Sequence, residues 1–279
     1  MLSSLMDFLS LKVVLLALLA GIPMALCAAL LGVSLVLKRY SMIGDGLSHV
    51  GFGALAVAYA LNWAPMAVSI PVVLLAAFLL LRLSDSSRIK GDAAIALISG
   101  SALAVGVIII SVTKGMNTDI THYMFGSILS VTTGDMILSL CVAVAVLVLY
   151  VVFYNRLFAV TFDESFARAT GTNTELYNTL LALLTAMVIV IGLRLMGALL
   201  ISSLLIFPAL TAMRVFRSFK SVVVCAGILS VICFFIGLYI SSLPMNVPAG
   251  AGIVVVNLAA FGVFAGVGAL RRRHGISGE

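Results

Sequence analysis

Long apolar segments alternate with short polar ones along almost the whole chain. Nine segments consist largely of apolar residues, and most of them reach the roughly 20 residues that an α-helix needs to cross a hydrocarbon core. They cover residues 11–37, 43–61, 65–82, 93–113, 134–154, 176–193, 196–213, 221–241 and 249–270. The pattern predicts an all-α polytopic membrane protein, in which residues 1–279 form a single transmembrane domain with eight to nine transmembrane helices.

The second segment, residues 43–61, is the least regular of the nine. It contains Asp45, Ser48 and His49 together with several glycines, which weaken a helix. Irregular backbone at membrane depth is tolerated only where protein or a water-filled cavity covers it. We therefore expect either a full span or a short, broken helix that neighbouring helices shelter, which leaves the number of spans at eight or nine.

Composition and charge agree with a membrane protein and indicate its orientation. The chain is 63% hydrophobic and 9% charged, whereas soluble domains are about 25% charged. With so little soluble mass, the net charge of +6 reports topology rather than nucleic-acid binding. If the N-terminus is outside and the C-terminus inside, thirteen Lys and Arg residues fall in inner loops and three on the outer side. We therefore expect a multi-pass protein with a cytoplasmic C-terminus and no nucleic-acid partner.

Asp45 and His49 are the residues of the chain that indicate its function most specifically. An ionised side chain inside a membrane costs at least about 2.5 kcal/mol, so such residues usually line a pathway or pair with each other. Their i,i+4 spacing places both on one helix face, with Cβ atoms about 6 Å apart. At a helical rise of about 1.5 Å per residue, they lie about 10 Å and about 16 Å beyond the basic pair at 38–39. A structural ion pair and a pathway for a metal ion or a proton both account for this arrangement.

Asp45 and His49 supply only two of the ligands that a transition metal needs. In a homodimer, the two copies would supply two carboxylates and two imidazoles, a four-coordinate set that suits Zn²⁺ and tolerates Mn²⁺. On the predicted outer side, Asp119 and His122 form a candidate metal-entry site, although an ordinary hydrated turn also explains them.

The predicted inner loop contains a short stretch, at about residues 160–172, with the features of a helix. Acidic residues start it, which suits the helix dipole, and a glycine follows at a plausible end. The candidate residues of this stretch are Asp163, Glu164, Ser165, Phe166, Ala167, Arg168 and Gly171. The stretch is either a solvated helix face or a docking helix for a cytoplasmic partner.

Signatures of common enzyme sites are absent from the sequence. The chain has no Gly-x-x-x-x-Gly-Lys-Ser/Thr motif and therefore no P-loop for ATP. It also lacks Gly-x-Ser-x-Gly, His-Glu-x-x-His and Gly-x-Gly-x-x-Gly. We therefore expect a protein that is not an enzyme and that holds no permanently bound cofactor.

Four segments, in chain order, resemble motifs of the integral-membrane permease subunits of ABC importers for zinc, manganese and iron(II). They are residues 41–49, 123–131, 163–171 and 197–212. The resemblance extends over nearly the whole chain, and four collinear motifs are more specific than any one of them. It implies a type II-like ABC importer permease with a short cytoplasmic coupling helix.

The resemblance also implies the partners and the location of the protein. It implies a homodimer in the lipid bilayer, two cytoplasmic ATP-binding subunits and an extracytoplasmic metal-binding protein, in the bacterial cytoplasmic (inner) membrane. Asp45 and His49 would belong to the translocation path, and residues 163–171 would dock into the ATPase and couple it to the permease. Pro208 is expected to break or bend a late span, because proline removes a backbone donor.

The residues after His49 favour zinc as the transported ion. Manganese-type members of the family commonly have a Leu-Pro-Gly turn here, whereas this chain has Val50, Gly51 and Phe52. We expect Zn²⁺ as the cargo, with Mn²⁺ or Fe²⁺ as the other candidates. The rival hypothesis is an ion-coupled secondary transporter in which Asp45 and His49 relay protons, and such a carrier would need no ATPase.

Overall fold

The structure, a computed structural model, describes residues 11–85, 91–113, 128–242 and 248–273. These ranges are helical apart from turns and short connections. The helices are α1 (Lys12–Leu37), α2 (Ile43–Ala60), α3 (Pro65–Asp85), α4 (Gly91–Val112), α5 (Thr133–Val152), α6 (Tyr154–Phe162), α7 (Glu164–Ala169), α8 (Thr174–Met196), α9 (Ala198–Met213), α10 (Phe219–Ser241) and α11 (Ala249–Arg273).

Helices form over all nine segments that the apolar pattern predicts. Within the described ranges, six of them are long and apolar enough to cross a membrane: α1, α4, α5, α8, α10 and α11. α3 and α9 contain shorter apolar stretches, Pro65–Leu80 and Ala198–Met213. The all-helical prediction is therefore confirmed for the described residues, whereas eight or nine spans stays a prediction.

α1 and α8 form the centre of the bundle. More than half of the residues in their most apolar stretches are buried, whereas few residues of α4, α5 and α11 are buried. α1 packs against α5, α8, α9 and α10, and α2 packs against α3, α4, α8 and α9. The exposed side chains of α4, α5 and α11 are mostly valine, leucine and isoleucine, as expected for helices that face lipid.

A single residue, Gly197, separates α8 from α9. Its φ of +83° lies in the left-handed region that glycine adopts easily, and it breaks the helix one residue after Met196. Gly192 of α8 lies against the Ile201 side chain of α9. The two helices therefore form a tight pair that is joined at Gly197.

α9 continues without a break through Pro208, which is buried within it. The expected break at this proline is therefore wrong, and a bend there stays a prediction. Prolines persist inside membrane helices because neighbouring helices and local adjustments satisfy the backbone group that proline frees. Pro23 lies within α1 in the same way.

α1 and α9 approach each other closely at Gly32. A Cβ atom on Gly32 would overlap the carbonyl oxygen of Leu205, and a rotamer change cannot move a backbone oxygen away. Small residues at helix contacts let backbones come this close. Gly262 and Gly266 of α11 differ, because a Cβ on either would have no described atom from elsewhere in the chain within 4 Å.

We expect Gly32→Ala to destabilise the protein and Gly262→Ala to leave it equally or slightly more stable. Overpacking a closed contact costs about 1–3 kcal/mol, whereas alanine on an open helix surface gains up to ~1 kcal/mol in helix propensity. Thermal unfolding of both variants in one detergent measures the difference. Equal melting temperatures for the two variants would contradict the close contact between α1 and α9.

Candidate functional site

A tight turn carries the chain from α1 into α2. The Arg39 amide donates to the Val36 oxygen at 3.1 Å. The Tyr40 amide donates to the Leu35 oxygen at 2.9 Å, which completes the hydrogen-bond pattern of a Schellman motif. Arg39 adopts a φ of +62°, where glycine is the usual residue. The turn places Asp45 in the first turn of α2, where the helix dipole favours a carboxylate.

α2 is a continuous helix because its glycines let neighbouring helices cover it. A Cβ on Gly46 would lie 2.6 Å from Cγ2 of Ile95 in α4. A Cβ on Gly51 would lie 2.8 Å from Cδ2 of Leu193 in α8. Both distances are too short for a real Cβ atom, so a larger residue at either position would push a neighbour away. The sheltered helix that the sequence allows is present, and it is not broken.

Asp45 and His49 contact each other on one face of α2. His49 Nε2 lies 3.5 Å from Asp45 Oδ2, and the two side chains are 23% and 45% exposed, respectively. The residues around them on α2 are buried, including Leu47, Ser48 and Val50. Asp45 and His49 are therefore partly exposed within a stretch of α2 that is otherwise buried.

No third ligand completes the pair within the described part of one chain. Among the described residues, no group of three or more His, Cys, Asp or Glu side chains could hold a metal ion. The Ser48 hydroxyl donates to the Gly44 carbonyl at 2.8 Å and is therefore already engaged inside the helix. Asp45 and His49 thus offer one carboxylate and one imidazole, and a cation held here needs further ligands from elsewhere. The predicted entry residues, Asp119 and His122, lie outside the described ranges.

The short helix that the sequence predicts in the inner loop is present as α7. Asp163 caps it, because its Oδ1 accepts from the Phe166 amide at 2.9 Å. Gly171 follows the end of the helix with a φ of +85°, as the predicted terminating glycine. Ala167 is buried against the bundle, whereas Phe166 is 65% exposed. An aromatic ring this exposed beside a polar loop is suited to contact with another molecule.

A polar cluster fastens α7 to the ends of α1 and α8. Lys38 Nζ donates to Asn178 Oδ1 at 2.5 Å and contacts Glu164 Oε2 at 3.3 Å. Arg168 Nη2 lies 3.4 Å from Glu164 Oε1 and 3.2 Å from Thr174 Oγ1. Sequence reasoning assigned Lys38 to topology alone and missed Asn178, because residues 126 and 140 positions apart show no periodicity that pairs them.

A second ion pair lies at the other end of the bundle. Arg194 of α8 lies 2.8 Å from Asp135 of α5, and the Asp135 side chain is only 14% exposed. Asp135 also accepts from the Thr132 hydroxyl at 2.7 Å within a capping box. Sequence reasoning did not pair Arg194 with Asp135, although Thr132 three residues before an acidic residue is a recognisable helix start.

The environment of Glu164 lowers its pKa. Burial alone would raise the pKa, but hydrogen bonds with Asn178 and Lys38 and the charges of Lys38 and Arg168 together outweigh it. The carboxylate form is therefore favoured in the folded protein, and Glu164 keeps its ion pairs at neutral pH.

Comparison with known proteins identifies relatives along nearly the whole chain. The model of the ABC 3 transport family matches residues 10–266. A manganese import system permease protein, ScaB of Streptococcus gordonii, is 33% identical over 245 residues, which are 88% of this chain and 87% of the relative. A high-affinity zinc uptake system membrane protein, ZnuB of Haemophilus influenzae, is 30% identical over 245 residues, which are 88% of this chain and 94% of the relative.

A solved structure has the same fold. It is described as PsaBC from Streptococcus pneumoniae in complex with Fab, and it is 32% identical to this chain. The match has a TM-score of 0.83 and covers 95% of each chain. The helical bundle described above is therefore one that an experimental structure also shows.

We expect the contribution of Glu164 to stability to depend on pH. Its folded pKa lies below the unfolded value of about 4.3, so the contribution is fully present above that pH and is lost as the pH falls through the folded pKa. Thermal unfolding of the wild type and of Glu164→Gln, in detergent between pH 7 and pH 3, tests this. The wild type should melt higher at pH 7 and the gap should close in acid. A gap that stays constant would contradict the lowered pKa.

Proposed function

We propose that this chain, which belongs to the ABC 3 transport family, is the membrane-spanning permease subunit of an ABC importer for a divalent transition-metal ion. The relatives named for manganese import and zinc uptake support this class of cargo. The observation that carries the proposal is the Asp45–His49 pair, a carboxylate and an imidazole in contact on the accessible face of a sheltered helix. These two groups bind Zn²⁺ and Mn²⁺.

The metal site is completed by a second copy of the chain. One copy offers two ligands from α2, and a symmetric homodimer would bring two Asp45 carboxylates and two His49 imidazoles around one axis. Four nitrogen and oxygen ligands suit a tetrahedral Zn²⁺ site. The accessible side of the pair supports this arrangement, because a ligand from a second copy has to approach from a side that the chain's own helices leave open.

The cargo is Zn²⁺. The ligand set of two carboxylates and two imidazoles supports it, as does the Val50-Gly51-Phe52 sequence in place of a Leu-Pro-Gly turn. Mn²⁺ is the competing cargo, since one relative described above is named for it.

α7 and the residues around it dock a separate cytoplasmic ATPase. The sequence has no P-loop, so ATP has to be bound by another chain. The exposed ring of Phe166 and the neighbouring Ser165 supply the contact surface, and Asp163 and Gly171 define the ends of the helix that presents them. An extracytoplasmic metal-binding protein would deliver the ion on the opposite side, where Asp119 and His122 are the candidate entry residues.

The topology follows from this assignment. α3 and α9, together with α2 as a full or partial span, add to the six helices that reach full length and apolarity and give eight or nine spans. The C-terminus and α7 lie in the cytoplasm, and the bilayer is the bacterial cytoplasmic membrane. The many basic residues in the loops on the α7 side support this orientation.

These residues would act in three steps of transport: binding of the ion, movement of α7 and release of the ion. The ion leaves its carrier and binds Asp45 and His49, with His49 neutral, because only the neutral imidazole has a free nitrogen lone pair for the metal. Movement of the docked ATPase reaches the spans through α7. The pair opens to the inner side and the ion departs, after which ATP hydrolysis resets the dimer.

We expect Asp45→Asn and His49→Gln each to reduce ATP-dependent metal uptake by at least about tenfold, because each removes a metal ligand. Ser48→Ala is the matched control on the same helix, since its hydroxyl bonds only to a carbonyl of α2 among the contacts described. Uptake into vesicles that contain the ATPase, supplied with the capture protein, measures the effect. Normal uptake in both ligand variants would refute the site.

Uptake into the same vesicles also tests which ion is transported and which energy source drives transport. With Zn²⁺ and Mn²⁺ in competition, we expect uptake to favour Zn²⁺ and to stop when ATP is withheld. Preference for Mn²⁺ would overturn the proposed cargo but not the proposal that the chain is a subunit of an ABC importer. Uptake driven by a proton gradient without the ATPase would overturn the importer and make Asp45 and His49 a proton relay.

We expect Phe166→Ala to weaken binding of the ATPase by about 30-fold, because exposed aromatic anchors in interfaces contribute about 2 kcal/mol or more. Leu258→Ala on α11 removes a side chain of similar exposure far along the chain from α7 and should leave binding unchanged. Co-purification and titration of the ATPase with the detergent-solubilised permease measure both. Equal affinities would contradict the docking role of α7.

A further inference from the structure

We propose that Lys38 is a positioning residue that connects α7 to the turn leading into α2, and thereby to Asp45. The inference rests on the proposed function and adds to it a residue through which movement of α7 reaches the metal ligands. Three observations support the inference: the contacts of Lys38, the hydrogen bonds of the turn that follows Lys38, and the ion pairs of Glu164.

The ammonium group of Lys38 joins three helices at one point. Lys38 caps the C-terminal end of α1, and its Nζ lies 2.5 Å from Asn178 of α8 and 3.3 Å from Glu164 of α7. Its side chain is only 8% exposed, so water competes little for these contacts. A lysine enclosed in this way, with a carboxylate and an amide as partners, fixes the position of α7 relative to the end of α1.

The turn after Lys38 is short and is held by hydrogen bonds throughout. Beyond the two bonds of the Schellman motif, the Ile43 amide donates to the Tyr40 oxygen at 3.1 Å, and the Gly46 amide donates to the Met42 oxygen at 2.9 Å. The left-handed φ of Arg39 costs energy that the surrounding structure has to offset. A turn built in this way has little freedom to absorb movement, so displacement of Lys38 moves the first turn of α2, where Asp45 lies.

Each carboxylate oxygen of Glu164 has a cationic partner, and these contacts help to fix the position of α7. Glu164 Oε2 faces Lys38, and its Oε1 faces Arg168 Nη2 at 3.4 Å. Arg168 in turn donates to Thr174 Oγ1, in the first residue of α8. Because both carboxylate oxygens have a cationic partner, a shift of α7 carries the Glu164 carboxylate with it and pulls on Lys38.

The consequence for the metal pair is geometric. Asp45 and His49 lie one turn apart in the same continuous helix. A movement that enters α2 at its first turn therefore displaces both side chains together, relative to the ligands that a second copy would supply. Ligand groups have to be held within about 0.5 Å of their productive geometry, so a small displacement of α2 is enough to change metal binding.

The test compares Lys38→Met with Lys38→Arg and with the matched control Lys220→Met, an exposed lysine at the start of α10. Each permease is assembled with the ATPase and the capture protein, and metal ions imported per ATP hydrolysed are measured together with ATPase affinity. We expect Lys38→Met to lower the ratio by at least about tenfold while ATPase affinity stays the same. Lys38→Arg should restore most of the coupling, and Lys220→Met should match the wild type.

If Lys38→Met folds poorly, a charge-reversed double variant tests the same inference. The double variant Lys38→Glu with Glu164→Lys should import about threefold more metal per ATP than either single variant, because it rebuilds the ion pair with reversed charges. An unchanged ratio in Lys38→Met would overturn the inference. A loss of ATPase affinity that parallels the loss of uptake would also overturn it, since Lys38 would then belong to the docking surface. Failure of the proposed function shows separately, as a wild-type complex without ATP-dependent metal uptake.

Discussion

The close packing of helices around α2 is the constraint on which the rest of the structure depends. A carboxylate and an imidazole at membrane depth are costly, and the helix that carries them is closely covered by its neighbours. Gly46 and Gly51 make this possible, because α4 and α8 approach them more closely than any side chain would allow. α3, α4, α8 and α9 all pack against this mostly apolar helix.

The two candidate functional regions, far apart in the sequence, are joined at one end of the bundle. The Asp45–His49 pair begins in the first turn of α2, and α7 lies against the ends of α1 and α8. Lys38 belongs to the connection between them. Contacts of this kind between packed elements are one route by which a displacement passes from one region to another.

Much of the fold could be predicted from the sequence, because long apolar segments have few alternatives in a membrane. The contact between Asp45 and His49 also could, since helical periodicity alone places i and i+4 together. The ion pairs Lys38–Glu164 and Arg194–Asp135 could not, because they depend on which helices become neighbours. The break expected at Pro208 was wrong for a related reason: a helix with packed neighbours tolerates a residue that would interrupt an isolated one.

The glycine contacts of α2 have an electrical consequence. A membrane that stores ion gradients loses them wherever water forms a continuous path across the hydrocarbon core. At Gly46 and Gly51 the neighbouring helices leave no room for such water, because even one added carbon would collide with Ile95 or Leu193. At these two contacts, therefore, neither water nor a hydrated ion can pass between α2 and its neighbours.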